Sequence, residues 1–288
     1  MKKYILVTPC KNEATNLPTL IKSIVGQSIK PLLWIIVDDG STDNTPFIIK
    51  KASEEINWIK VIRLSPGKRD LGLHYAKIVQ LGFKEGISIC EQSNYEIDFF
   101  GISDADLILE DSFFENLIKE FDKDPFLGIA SGSTKHIIEN RIYHAEGNIN
   151  EPSGGHMLIR KRCFEQCGGF PLVSYTPDSV LKVKARLRDW KTKRIINNVA
   201  IEIRDVNSVE GYWNGFFNKG RSYYYLNYNP LQVLAKTIMY LFRNPFYIGI
   251  AYFMGYFTSF IKRSEKIPDI EIRTYYWNKW TEKSKEYL

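Results

Sequence analysis

The chain has 288 residues, 44% hydrophobic and 25% charged, which suffices for one large core with a small appendage and excludes a disordered or collagen-like polymer. A formal charge of +6 and a pI near 8.9 favour anionic partners such as a nucleotide diphosphate or a membrane surface. They fall below the pI of about 9 that marks a nucleic-acid-binding domain, so nucleic acid is not expected as a partner. Cys10, Cys90, Cys163 and Cys167 supply neither a disulfide framework nor zinc-like ligand pairs and are expected as reduced, buried thiols. The opening Met1-Lys2-Lys3-Tyr4, followed by Ile5-Leu6-Val7, has an apolar run too short for a signal segment, so the catalytic part is expected on the cytoplasmic side.

Tyr4 to Thr8, ended by Pro9, predicts a buried strand. Leu17, Leu20, Ile21, Ile24 and Val25 fall at helical spacing, with Thr15 or Asn16 as cap and Pro18 in the first turn. Leu33 to Val37 predicts a second strand, stopped by Asp38-Asp39-Gly40-Ser41-Thr42, and Thr45 and Pro46 open a second helix. Ile59 to Leu64 and Phe99 to Ser103 predict further strands, each followed by a helix: one with Leu71, His74, Tyr75, Ile78 and Val79 on its buried stripe, the other with Phe113, Phe114, Leu117, Ile118 and Phe121. Such alternation implies an α/β domain with a doubly wound, mostly parallel sheet flanked by helices, and ligands at the carboxyl ends of its strands. Beyond residue 125 the alternation stops. Gly154-Gly155 and Gly168-Gly169 bracket Met157 to Cys167, a helix capped at Thr176-Pro177 runs through Leu181, Leu187 and Trp190, and Lys193 to Ile196 and Val199 to Ile203 are strand-like. Residues 231 to 261 are rich in Tyr, Phe, Ile and Leu, and no internal repeat is present.

Three polar clusters fall at strand ends. Thr8-Pro9-Cys10-Lys11-Asn12-Glu13 and Asp38-Asp39-Gly40-Ser41 offer carboxylates and backbone groups that could converge on a ribose and base, although helix capping accounts equally well for Ser41, Thr42 and Asp43. Asp104-Ala105-Asp106 places two carboxylates on one side of an extended segment, a spacing suited to magnesium or manganese held together with substrate phosphates.

The order of these segments resembles glycosyltransferase family 2, the inverting enzymes of the GT-A fold. The likeness rests on Val7-Thr8-Pro9 with Asn12-Glu13, Val37-Asp38-Asp39-Gly40-Ser41-Thr42-Asp43, Ser103-Asp104-Ala105-Asp106, and Gly155-His156-Met157-Leu158-Ile159-Arg160, and covers roughly residues 4 to 225. It implies a nucleotide-diphosphate sugar donor near Thr8, Pro9, Asn12, Glu13, Asp38, Asp39, Asp104 and Ala105, with Asp39 on the base, Asp104 on the ribose or metal, and Asp106 on Mn2+ or Mg2+. Lys68 and Arg69 would lie near the nucleotide, and Gly155 and His156 near the acceptor. Arg221 could bind the diphosphate or sit in a solvated basic loop. Where the family carries a Glu-Asp pair opening a helix, this chain has Pro177-Asp178, which makes Asp178 the expected base. The preference of acids for helix N-termini would also place an Asp there without any catalytic role. A further departure is the histidine that often completes the metal site: Ile201-Glu202-Ile203-Arg204-Asp205 stands there instead. His74, on an apolar stripe, is expected as a packed core residue, and His136 and His144 lack zinc-like spacing.

The expected reaction is a single displacement from the donor to a hydroxyl of a lipid-linked or growing glycan, with inversion. Nucleotidyl transfer lacks its Gly-rich basic loop after the first strand, a receiver-like signalling module leaves the second half unused, and a nucleotide-sugar-binding pseudoenzyme stays open because of Pro177. The expected organisation is a catalytic domain over 1–225, with a donor half at 1–125 and an acceptor half at 126–225, and a C-terminal helical segment over 226–288. Leu231 to Phe242 and Phe246 to Ile261 each fall short of the ~20 residues that cross hydrocarbon and are expected to lie on the cytoplasmic face of the cell membrane. Helices packed on the catalytic domain or on a second subunit, or a single tilted crossing helix, would have a similar apolar and aromatic composition.

Overall fold

Alternate residues of the first strand enter two different cores, one on each face of the sheet. The computed structural model describes residues 2–66, 73–138, 141–144, 148–203 and 211–285. Strand β1 (Tyr4–Cys10) sends Tyr4 and Leu6 to one face and Ile5 and Val7 to the other, all fully buried, as the two-residue period of a strand covered on both sides requires. Helix α1 (Leu17–Val25), strand β2 (Leu33–Asp38), helix α2 (Thr45–Glu55) and strand β3 (Ile59–Arg63) follow, and β1, β2 and β3 pair in parallel. Trp34 and Ile36 of β2 join the Tyr4 face under α1 and α2, while Ile35 and Val37 join the Ile5 face under helix α3 (Leu73–Gln92). Helix α3 lies flush on the sheet because it presents glycine there. A Cβ on Gly82 would sit 2.6 Å from Val7 Cγ1, and one on Gly86 2.7 Å from Ile5 Cγ2.

Strands β4 (Phe99–Ser103) and β5 (Leu107–Leu109), helix α4 (Phe113–Lys123) and strands β6 (Leu127–Ile138), β7 (Arg141–His144) and β8 (His156–Arg160) come next. Helices α5 (Lys161–Gln166) and α6 (Pro177–Arg186) and strand β9 (Lys191–Glu202) complete the sheet region. Among the described residues the strand order is β3-β2-β1-β4-β8-β6-β9-β5, with β7 on β6. The α/β architecture with helices on both faces is the one expected. Parallel pairing runs from β3 to β4 and again between β6 and β9, and β8 joins the two parts by antiparallel pairing on both sides.

Local details depart from expectation. The capping differs from expectation: Asn16 donates to Glu13 Oε2 at 2.9 Å, and Thr45 is already helical, its hydroxyl accepting the Glu13 N–H at 2.8 Å and its own N–H capped by Asp43 Oδ1 at 2.9 Å. Both groups tie the β1 loop to the helices rather than closing a helix end. Trp190 lies beyond α6, in the turn before β9. The two short strands expected at 193–203 are one strand, whose register against β6 shifts between Gly132 and Ser133. The residues between are pushed out as a bulge, and Asn198, buried within it, donates to the Phe113 carbonyl at 3.0 Å.

The chain divides into two compact units, Met1–Leu172 with Pro177–Arg204, and Val173–Thr176 with Asp205–Leu288. The second holds helices α7 (Gly211–Tyr225), α8 (Pro230–Leu241), α9 (Tyr247–Ile261) and α10 (Ile270–Lys285). Helix α7 thus groups with the later helices, because glycines let its backbone approach α9: a Cβ on Gly220 would strike the Tyr252 carbonyl, and one on Gly255 that of Phe217. No helix among the described residues is long and apolar enough to cross a membrane.

The close contact of α3 with β1 has a measurable consequence. Gly82→Ala gains about 1 kcal/mol of helix propensity. The added methyl meets the branched Val7 side chain from a packed sheet, and overpacking of this kind costs about 1–3 kcal/mol. The expected result is a lower urea midpoint with an unchanged m-value.

Candidate active site

The carboxyl ends of β1 and β2 form one polar cluster. Asp39 follows β2, donates its N–H to the Cys10 carbonyl at 2.9 Å, and is almost fully buried. Its carboxylate is held from two sides, by Lys11 Nζ at 3.1 Å on Oδ2 and by His74 Nε2 at 2.6 Å on Oδ1, the imidazole nitrogen supplying the proton to the acceptor oxygen. His74 is therefore a partner of the Asp39 carboxylate and not the packed core residue expected from its helical stripe. Asn12, at φ 55°, accepts the Thr42 N–H at 2.8 Å, and its own N–H donates to Ser41 Oγ at 2.8 Å. Gly40, at φ 64°, permits the turn, and a Cβ there would lie 2.5 Å from the Ser65 carbonyl.

Two residues expected at the donor have fully buried side chains. The Thr8 hydroxyl is fully buried and accepts the Trp34 indole N–H at 2.9 Å. Asp38 is also fully buried, its Oδ1 accepting the Ser41 N–H at 2.9 Å and its Oδ2 facing Arg63 Nε at 3.4 Å. Both shape the loop from below. Beside them the Cys10 thiol donates to the Val37 carbonyl at 3.6 Å; burial first, and then Asp38, Glu13, Asp43 and Asp39, push its pKa far up.

The second cluster is built on two glycines. Asp104 and Asp106 lie in the turn between β4 and β5 rather than on a strand, with buried Ala105 between them, so the alternation expected of the triplet survives as half-buried acids flanking a core alanine. The Asp104 N–H donates to the Gly155 carbonyl at 2.7 Å, and a Cβ on Gly155 would land on Asp104 Oδ2. A Cβ on Gly154 would lie 2.6 Å from Asp178 Oδ2. One dipeptide without side chains thus separates two carboxylates that stand 74 positions apart in the chain (178 minus 104).

The charges around these acids differ. Burial first, and then the fields of Asp106, Glu202, Asp178 and Glu13, push the Asp104 carboxyl well above the usual carboxylate range. Burial acts to raise Asp178, but it is outweighed by the Lys182 charge, a 2.9 Å hydrogen bond from Lys182 to Oδ2, and the Ser179 and Asp178 N–H groups together, leaving Asp178 below the usual range. Lys182 is itself buried, and its ammonium also donates to the Pro152 carbonyl at 3.0 Å. Tyr75, on α3, faces both acids: burial, then Asp104 and Asp178, raise its phenol.

Of the residues singled out in the sequence, Glu13, Asp104, Asp106, Gly155 and Asp178 therefore come together. Sequence reasoning missed Gly154, Glu202, Tyr75 and Lys182 as members of the cluster; only Lys182 carried a local signal, four residues after Asp178 on one helix face. His156 is not available to an acceptor. It sits on a central strand, 1% exposed, with Nε2 2.9 Å from Thr134 Oγ1 and its ring against Phe113, and burial pushes its pKa down to about 4. Arg221 is on α7 in the second unit, its guanidinium 6.0 Å from the Tyr175 ring centroid. Lys68 and Arg69 lie outside the described residues.

The donor set around Asp104 fits a hard divalent cation. Four further carboxylates act on the half-buried Asp104, against one ammonium, that of Lys182, which is bound to Asp178. Among the described residues no three Asp, Glu, His or Cys side chains are already arranged as a ligand set. Magnesium-type sites do not require one, since one or two carboxylates with substrate phosphates and water complete them.

Residues 5–174 match the sequence model of the family described as Glycosyl transferase family 2, which is more than half of the chain. This chain belongs to that family. It is 27% identical over 203 residues to a poly-beta-1,6-N-acetyl-D-glucosamine synthase of Staphylococcus epidermidis, covering 64% of this chain and 46% of the relative. The corresponding synthase of Staphylococcus aureus strain COL is 26% identical over 204 residues. The chain thus spans about half the length of these curated relatives. S. aureus TarS 1-349, crystallised with UDP-GlcNAc, superposes with a TM-score of 0.56 over 95% of this chain and 78% of its own, at 14% identity. The mannosyltransferase PcManGT from Pyrobaculum calidifontis, in complex with GDP-Man and Mn2+, gives 0.56 over 95% of this chain and 83% of its own, at 16% identity. At such identities the likeness shows the fold, which is the GT-A arrangement the sequence motifs imply.

Gly155→Ala tests whether the glycine floor matters. The β8 strand should still form, with a urea midpoint near that of the parent, but Asp104 must move. Nucleotide-sugar affinity measured by calorimetry should weaken about tenfold, the scale of one lost charged hydrogen bond.

Proposed function

We propose that the first unit transfers a sugar, with inversion, from a nucleotide-diphosphate sugar to a hydroxyl of a glycan or lipid-linked acceptor at the cytoplasmic face of the membrane, in the presence of Mn2+ or Mg2+. The observation that carries this is the approach of Asp104 and Asp178 to one Gly154-Gly155 dipeptide, which puts an electron-rich, cation-seeking carboxylate beside an ionised carboxylate held by a lysine. Family membership and fold neighbours crystallised with UDP-GlcNAc and with GDP-Man support the same chemistry.

Asp39, fixed by Lys11 and His74, is assigned to the nucleobase, where its oxygens accept from ring N–H groups. Asp104 and Asp106 are assigned to the donor and would hold the metal. When bound, that cation supplies positive charge against the diphosphate as it departs. Asp178 takes the acceptor hydroxyl's proton while the acceptor oxygen forms its bond to the anomeric carbon and the bond from that carbon to the phosphate oxygen breaks, its electrons leaving with the nucleotide diphosphate. One displacement inverts the centre. Lys182 keeps the base ionised and turned toward the glycines through its bonds to Oδ2 and to the Pro152 carbonyl.

Asp178→Asn should lower turnover by about 10²- to 10⁴-fold, the usual worth of a general base, with donor affinity retained. Release of free nucleotide diphosphate on adding acceptor measures turnover, and parent-like release by the variant refutes the assignment. A base acts deprotonated, and Asp178 lies below the usual carboxylate range, so the acid limb of kcat/KM falls only as pH drops through that lowered value. Lys182→Gln removes the cation that depresses it, so the acid limb should move to higher pH. An unmoved limb means another group titrates there.

Thermal shifts with UDP-, GDP- and dTDP-sugars will identify the donor through binding linkage. The expected stabilisation requires manganese and disappears in Asp106→Ala. Equal stabilisation in the presence of a chelator removes the metal from the proposal.

A further inference from the structure

Helices α8 and α9 of the second unit are apolar on both sides. Their inner faces are ordinary: Val233 and Thr237 on α8, and Ile248, Tyr252 and Tyr256 on α9, are buried at helical spacing. Their outer faces should then be polar, as on any helix that meets water. Instead Leu231, Leu234 and Ile238, at i, i+3 and i+7, line the solvent side of α8 at 64%, 49% and 49% exposure. On α9 Ile250, Met254 and Phe257, at i, i+4 and i+7, do the same. At the turn between the helices Phe242 is 88% exposed and Phe246 63%. The helices pack closely, since a Cβ on Gly249 would lie 2.8 Å from the Leu241 nitrogen, so both stripes belong to one hairpin. Exposed apolar groups concentrated in one hairpin in this way mark a docking surface.

Charge selects what docks. Residues 230–263 contain four basic side chains, Lys236, Arg243, Lys262 and Arg263, and no Asp or Glu. Lys236 is occupied by the Tyr223 hydroxyl at 2.5 Å, but Arg243 at the turn and Lys262 and Arg263 at the end of α9 are exposed. A second copy seated symmetrically on this face would bring cations against cations with no acid from the hairpin between them. An anionic lipid surface complements them. The 12 and 15 residues of the helices span about 18 and 22 Å at ~1.5 Å per residue, short of the ~30 Å of hydrocarbon, so they suit the plane of the interface. Trp213, 45% exposed, with its ring 6.3 Å from that of Tyr247, adds aromatic groups of the kind that settle at headgroup depth.

We propose that the outer face of the α8–α9 hairpin inserts into the headgroup region of an anionic lipid monolayer, making the second unit a membrane dock that enters one leaflet without crossing it. The proposal rests on the hairpin alone and stands independently of the transferase chemistry. The test is flotation of the full chain with vesicles of phosphatidylcholine mixed with phosphatidylglycerol, compared with phosphatidylcholine alone. The intact chain should float with the anionic vesicles at low salt and far less with the neutral ones. Lys262→Gln with Arg263→Gln should weaken that binding about thirtyfold, at ~1 kcal/mol for each basic residue at the surface. Phe242→Ser with Phe257→Ser should abolish it while leaving the circular dichroism unchanged, since Phe242 is exposed and Phe257 gives up only its stack on Phe253. A full chain that stays at the bottom of the gradient with anionic vesicles at low salt overturns the proposal. So does a stable dimer in analytical ultracentrifugation that the phenylalanine variant dissociates while vesicle binding is unaffected.

Discussion

The absence of two side chains, at Gly154 and Gly155, lets the two halves of the first unit share one site. Asp104 reaches the dipeptide from the turn after β4, and Asp178 reaches it from the first turn of α6. Any larger residue at either position would occupy the space that a carboxylate holds. The antiparallel strand β8 is what delivers this dipeptide, since pairing of His156 with Ser103 sets it beside the end of β4. The switch from parallel to antiparallel pairing in mid-sheet is therefore tied to the chemistry, placing a backbone segment where a purely parallel sheet would have put another helix connection.

The electrostatic contrast between the two acids follows from a lysine and the N–H groups of a helix start. Both sit in protein surroundings that disfavour charge, but Asp178 has a buried ammonium four residues along its own helix and Asp104 has further carboxylates. Environments that push two neighbouring titratable groups apart in this way allow one to act on protons and the other on cations. After β2, Lys11 and His74 fix Asp39 in place, so three carboxylates, two after strands and one at a helix start, have three kinds of neighbour.

Strands β1, β2 and β4 are legible in the sequence because each is buried on both faces and so forms a nearly unbroken apolar run, whereas β3, at the sheet edge with only Ile59 fully buried, shows through Ile59, Val61 and Ile62 alone. Asp104, Asp106 and Asp178 were legible through their positions at a strand end and a helix start. What escaped depends on contacts distant in the chain. The helical stripe places His74 on α3 but carries no information that the first turns of that helix face the β2 loop. His156 follows two glycines and so resembles a loop residue, whereas β8 runs between β4 and β6 with neighbours on both sides. Thr8 and Asp38 belong to motifs that border the cleft, yet their side chains alternate inward, where Trp34 and Ser41 take their hydrogen-bonding capacity. The single long β9 reads as two strands because Asn197-Asn198 in its bulge have the composition of a turn.

Cys10 shows what this cluster of acids does to a neutral nucleophile. It stands next to Lys11 in the loop that borders the proposed donor site, where a thiol would ordinarily be exposed to alkylating agents and oxidants. Burial and the surrounding carboxylates oppose formation of the thiolate, which is the reactive species, and the thiol proton is held on the Val37 carbonyl. Burial and the acids of the β1 and β2 loops thus hold this sulfur in its unreactive thiol form without any disulfide or metal to shield it.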